Sequence, residues 1–192
     1  RYLYSNRGIW HAERLRRTGR ADDARRVSEA NLKILERLRA AFQISQCHRV
    51  LGDLDAGAGD PASAPSRVLS AGHYDQALKI ARGISHRPAL IEALLARGRW
   101  AARHQTSGVL KTPEVWGLDQ AFADLEEALG YALEGGYRIY EADARAGLAW
   151  AHLAAGDPAR ARTEAERARQ LSADMGYHWG QVDADEVLEA LA

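Results

Sequence analysis

Apolar side chains recur along this chain at the three- to five-residue spacings that put them on one side of a helix. From Tyr2 to Thr18 the positions Leu3, Ile9, Ala12 and Leu15 share a face, and from Ala21 to Leu38 the set Ala24, Val27, Leu32, Leu35 and Leu38 repeats the pattern. Alanine, leucine, arginine and glutamate dominate, and long stretches lack the Val/Ile/Thr alternation of a pleated strand, so helix is expected nearly throughout and no sheet. Gly19 separates the first two helices, where a left-handed cap costs a glycine least.

The helix, glycine turn, helix unit returns. Gly59-Asp60-Pro61-Ala62 follows Leu51-Gly52-Asp53-Leu54, and Gly156-Asp157-Pro158-Ala159 follows Leu148-Ala149-Trp150-Ala151. In each turn glycine ends one helix, aspartate caps the next, and proline takes the first helical position, where its missing N–H is harmless. Such internal repetition marks a solenoid. Four helix pairs are expected, over about 2–40, 41–84, 87–134 and 138–174, with a closing helix at 178–191. Pro61, Pro65 and Gly72 predict a loop or a broken helix before His73, and the Gly- and Pro-containing stretch 105–116 interrupts the third pair.

Composition narrows the class. One thiol, Cys47, allows no intrachain disulfide, and the longest largely apolar run, Ala89 to Ala96, contains Glu92 and is far shorter than a membrane span. The chain opens inside a helical pattern, which reads as a fragment of a larger cytoplasmic protein. Its 26 basic and 26 acidic side chains balance, but unevenly. Residues 1–40 hold eleven Arg or Lys against five Asp or Glu, while 118–143 hold seven acids against Arg138. That asymmetry can steer a partner or let the two ends attract.

Catalytic chemistry finds little footing. No glycine-rich loop ends in Lys and Ser or Thr to surround a phosphate, and Gly57 to Ala62, which formally fits a dinucleotide fingerprint, follows a helix where a strand is required. The histidines are scattered, Cys47 and His48 point about 100° apart on a helix, and Glu126 and Glu127 do not converge on one bond, so neither metal nor cofactor is expected. Arg14, Arg16, Arg17, Arg20, Arg25 and Arg26 around one turn offer a nucleic-acid-binding alternative, weakened by Glu13, Asp22, Asp23 and Glu29 among them.

Small residues facing the turn alanines, Leu51-Gly52 with Ala64, Ala96 to Gly98 with Ala121, and Leu148-Ala149 with Ala161, Ala165 and Ala168, let paired helices approach closely. In these positions the chain resembles the tetratricopeptide repeat, which implies an all-α, right-handed superhelix of about four pairs plus a terminal helix. Phrases such as Gly136-Tyr137-Arg138-Ile139-Tyr140-Glu141-Ala142 and Met175-Gly176-Tyr177-His178-Trp179-Gly180 are similar to the C-terminal helical arrays of bacterial signal-transduction ATPases of the NACHT or NB-ARC type. That resemblance implies a non-catalytic sensor that binds a protein or peptide trigger and regulates an upstream NTPase domain of the same polypeptide.

The expected site is the inner face lined by the first helix of each pair. Aligning the turn glycines projects onto it Asn6, Glu13, Arg16 and Arg17, then Gln46, Arg49 and Asp53, then Glu92, Arg99 and Arg103, and last Asp143 and Trp150. Arginines and acids there suit a peptide held by charge-assisted hydrogen bonds, with Trp150 as an anchor. Tyr137, Tyr140, Tyr177 and Trp179 are expected to pack the last pair against the closing helix.

Overall fold

The computed structural model describes residues 5–57, 64–105 and 117–192, the side chains of 64–67 and 105 excepted. Among the described residues the chain forms nine helices and no strand: α1 Ser5–Arg17, α2 Ala21–Leu38, α3 Ala41–Ala56, α4 Ala64–Gly83, α5 Arg87–Gln105, α6 Leu118–Gly135, α7 Arg138–Ala154, α8 Pro158–Met175 and α9 His178–Ala190. The helix ends carry the expected chemistry. Gly19, Gly136, Gly156 and Gly176 have φ between 66° and 77°, the left-handed region that stops a helix. Asp157 caps α8 by accepting the Arg160 N–H at 3.0 Å, with Pro158 in the first turn. The matching turn at Gly59-Asp60-Pro61 and the 106–116 stretch lie outside the described residues.

The chain divides into two compact units, Arg1–Ala93 and Leu94–Ala192, with the division falling inside α5. In the first unit each helix packs on its neighbour in sequence, α1 on α2, α2 on α3 and α3 on α4, and α1 also reaches α3. Ile9, Ala12 and Leu15 of α1, Ala24 and Leu35 of α2, and Cys47, Val50, Leu51 and Leu54 of α3 make its core. Gly52 lets the ring of buried Tyr74 approach α3, since a Cβ there would sit 2.7 Å from Tyr74 Cε1. Ser45 Oγ donates to the Ala77 carbonyl at 2.9 Å, tying α3 to α4.

The second unit repeats the scheme. α6 packs on α7, α7 on α8, α8 on α9, and α7 also touches α9. Leu125 of α6 is fully buried between glycines of two other helices: a Cβ on Gly98 of α5 would lie 2.7 Å from Leu125 Cγ, and one on Gly147 of α7 2.5 Å from its Cδ2. Ala161, Ala165 and Ala168 line α8 with no exposure, so the helices close on methyl groups. Contacts between a helix, the next and the next but one define an all-α, tetratricopeptide-repeat-like fold.

Two local expectations are corrected. α4 runs unbroken from Ala64 through Gly72, because Pro65 falls in its first turn, where no N–H is required, and the glycine costs only about 1 kcal/mol in a helix otherwise held by α3. Leu38 does not join the apolar face. It is 62% exposed in the last turn before Arg39, whose left-handed backbone (φ 54°) turns the chain away. No helix among the described residues is long and apolar enough to cross a membrane.

Candidate functional site

In the first unit, side chains from α1, α3, α4 and the start of α5 form one charged network. Glu13 accepts from Arg16 Nη2 at 2.7 Å and from Arg17 Nε at 2.9 Å, both within one turn of α1. On α3, Arg49 donates to Gln46 Oε1 and to Asp53 Oδ2, each at 3.2 Å. Across helices, Arg49 lies 3.7 Å from both Glu13 and Glu92, and Arg16 Nε 3.9 Å from Asp53. The Tyr74 hydroxyl donates to Asp53 Oδ1 at 2.8 Å. Three carboxylates thus meet three guanidinium groups, partly open to solvent, with side-chain exposures of 18–28%.

Electrostatics hold Glu13, Arg16 and Arg49 in their charged forms. Burial alone would raise the Glu13 carboxyl, but Arg49 and then Arg16 and Arg17 keep it well below the usual carboxylate range. Burial works against the charge on Arg49 and is outweighed by Glu13, Asp53 and Glu92, so its pKa is raised; Arg16 is raised likewise by Asp53 and Glu13. Tyr74 is pushed up, first by burial and then by Asp53, and stays a hydrogen-bond donor.

The second unit holds a separate set. Arg99 of α5 donates to the Asp143 carbonyl at 2.8 Å, pairs with Asp143 Oδ1 at 3.0 Å, and reaches Asp183 of α9 at 3.5 Å. The Tyr177 hydroxyl donates to Asp143 at 3.2 Å. One turn further along α5, Arg103 pairs with Glu186 at 2.7 Å and its guanidinium sits 5.0 Å from the Trp150 ring centroid. Trp150 packs on Ala149, Ala165 and Val187, and its buried Nε1 has no partner among the described residues.

The expected site residues therefore fall into two sets. Glu13, Arg16, Arg17, Gln46, Arg49, Asp53 and Glu92 come together in the first unit; Arg99, Arg103, Asp143 and Trp150 come together in the second. Asn6 lies two turns before Glu13 on α1 and takes no part in the first network among the described residues. Sequence reasoning missed Tyr74, Asp183 and Glu186, and gave Tyr177 only a packing role. The spacing of Asp183 and Glu186, three apart on α9, did not single them out, because Asp185 and Glu189 on the same helix are four apart, as Arg99 and Arg103 are on α5, and Asp185 pairs instead with Arg169.

Five of the six arginines of the nucleic-acid alternative are engaged by acids, Arg16 and Arg17 with Glu13, Arg20 and Arg26 with Asp23, and Arg25 with Asp55 at 2.6 Å; Arg14 is exposed and pairs with no acid among the described residues. Two of the scattered histidines meet. His48 Nδ1 of α3 and His73 Nδ1 of α4 are 2.9 Å apart, with ring centroids at 5.2 Å, about as far apart as that contact permits. The nitrogens therefore face head-on, the geometry of one N–H···N bond, whereas lone pairs sharing a metal ion converge at an angle. Burial and the neighbouring ring push His48 down to about 4; His73 is also lowered by burial, opposed by Asp55, 3.6 Å from its Nε2. Cys47 is buried, and its thiol, pushed up to about 12 chiefly by burial, is neutral. No group of three or more metal-ligating side chains occurs among the described residues.

A tetratricopeptide repeat family model matches residues 8–30, covering α1 and the first half of α2, and residues 142–167, covering α7 and the first half of α8. No curated protein sequence matches the chain. Tetratricopeptide repeats mediate protein–protein contact and are typically non-enzymatic scaffolds, and the two matches carry that general reading to one helix pair in each unit.

Proposed function

We propose that this chain is a non-catalytic protein-interaction module whose ligand-facing surface is formed by the first helices of its pairs. The observation that carries the reading is the first-unit network: on helices that otherwise bury alanine and leucine, Glu13, Arg16, Arg49, Asp53 and Glu92 gather on one partly open surface. Such a surface recognises a protein segment carrying both signs of charge, through paired charge-assisted hydrogen bonds. Arg99, Asp143, Arg103 and Trp150 form the equivalent surface of the second unit. In the fuller reading, drawn from resemblance, the ligand is a trigger protein or peptide and its binding regulates a signalling ATPase upstream in the same cytoplasmic polypeptide.

Selection of peptides from a displayed random library tests the interaction reading. Captured peptides are expected to carry both charge signs and to bind at least tenfold more weakly to Arg49→Gln and Asp53→Asn than to the native chain. Affinity unchanged in both variants counts against this surface. For the ATPase, the chain is added in trans to a NACHT-type core lacking its own array; no association and no change in nucleotide turnover count against that part.

A further inference from the structure

α1 carries a stripe that is exposed among the described residues. Trp10 is 70% exposed, the largest exposure of any big apolar side chain described, and it stands between Arg7 and Arg14, both exposed and neither held by a carboxylate among the described residues. An exposed tryptophan flanked by cations one turn away on each side is the composition of an interface anchor.

A second stripe lies on α6. Glu126 and Leu133 are exposed, Leu133 at 53%, and midway between them stands Gly130. Glycine inside a helix costs about 1 kcal/mol relative to alanine. At Gly52, Gly98 and Gly147 internal packing requires it, but a Cβ on Gly130 would meet nothing within 4 Å. Nothing among the described residues needs that notch.

The two stripes are complementary in register. Arg7, Trp10 and Arg14 are spaced three and four residues apart; Glu126, Gly130 and Leu133 are spaced four and three. Laid antiparallel, Arg14 meets Glu126, the Trp10 ring enters the notch at Gly130, and the aliphatic stem of Arg7 covers Leu133. The wider charge agrees, since residues 1–40 are basic and 118–143 acidic.

We infer that the α1 face of one copy docks on the α6 face of a second copy, giving a head-to-tail self-association. The contact is heterologous: in a docked pair one copy keeps a free α6 face and the other a free α1 face, so further copies can add. One helix against one helix is a small interface, which puts the affinity at roughly tens to hundreds of micromolar.

Sedimentation equilibrium of the chain from micromolar to near-millimolar concentration tests this. The average mass is expected to climb above the 21.1 kDa monomer with concentration, and the climb to shrink in high salt. Trp10→Ala and Gly130→Leu each hold the chain at monomer mass; Gly130→Leu raises helix propensity, and circular dichroism melts confirm that both remain folded. Mixed together, the two variants retain one intact face each and form a species of twice the monomer mass that grows no further. A native chain monomeric throughout, or a mass increase surviving either substitution, overturns the proposal, as does a mixture that stays monomeric.

Discussion

Adding a single methyl group at Gly98 strikes a closely packed point of the second unit. The alanine Cβ would stand 2.7 Å from Leu125 Cγ, 3.1 Å from its Cδ2 and 3.2 Å from Asp124 Cβ. Neither neighbour can withdraw. Leu125 is backed by Gly147, whose own Cβ position is 2.5 Å from the same side chain, and Asp124 is held by Arg97 through bonds of 2.7 and 2.8 Å. Alanine gains about 1 kcal/mol of helix propensity over glycine. Overpacking costs about 1–3 kcal/mol, and confinement from both sides places this case at the upper end. Gly98→Ala is therefore expected to lose about 1–2 kcal/mol net, a fall in Tm of roughly 2–8 °C for a chain of this size. Leu125→Ala alone costs about 2–5 kcal/mol as a cavity. In that background the new methyl has room, so Gly98→Ala becomes neutral or stabilising, and the double-mutant cycle shows a coupling of at least about 1 kcal/mol. Thermal and urea melts followed at 222 nm measure all four corners. Additive losses, or a Gly98→Ala chain melting above the parent, refute the clasp.

Other outcomes follow from the same structure. The His48–His73 pair makes stability pH-dependent: the folded rings titrate below 6.5, so the unfolded chain binds more protons and stability falls as pH drops from 6.5 towards 4, by on the order of 1–2 kcal/mol after discounting for partial exposure. Urea melts across that range should flatten in His48→Gln; parallel curves would contradict the assignment. Tyr74→Phe removes the donor to Asp53 and should cost about 1–2 kcal/mol by chemical denaturation. Asp157→Ala should cost about 1 kcal/mol through loss of the α8 cap, with Asp157→Asn restoring most of it.

How much the sequence disclosed depends on the range of the contact. Helix ends were legible at Gly19, Gly156 and Asp157-Pro158 because local backbone rules decide them. The run through Gly72 was not, since packing on α3 overrides local propensity. Glu13 with Arg16 and Arg17, and Gln46 with Arg49 and Asp53, sit one turn apart on single helices, so their proximity could be counted. Tyr74 with Asp53, His48 with His73, and Arg99 with Asp183 are 21, 25 and 84 residues apart, and only the packed helices bring them together.

The matched charges of the first unit carry a consequence for any visitor. With Glu13, Asp53 and Glu92 already answered by Arg16, Arg17 and Arg49, a lone ion arrives at a surface with no vacancy. On the proposed function, a guest would have to trade places with a resident, supplying an acid wherever it displaces one, so the surface would screen by pattern and let go quickly of whatever does not mirror it.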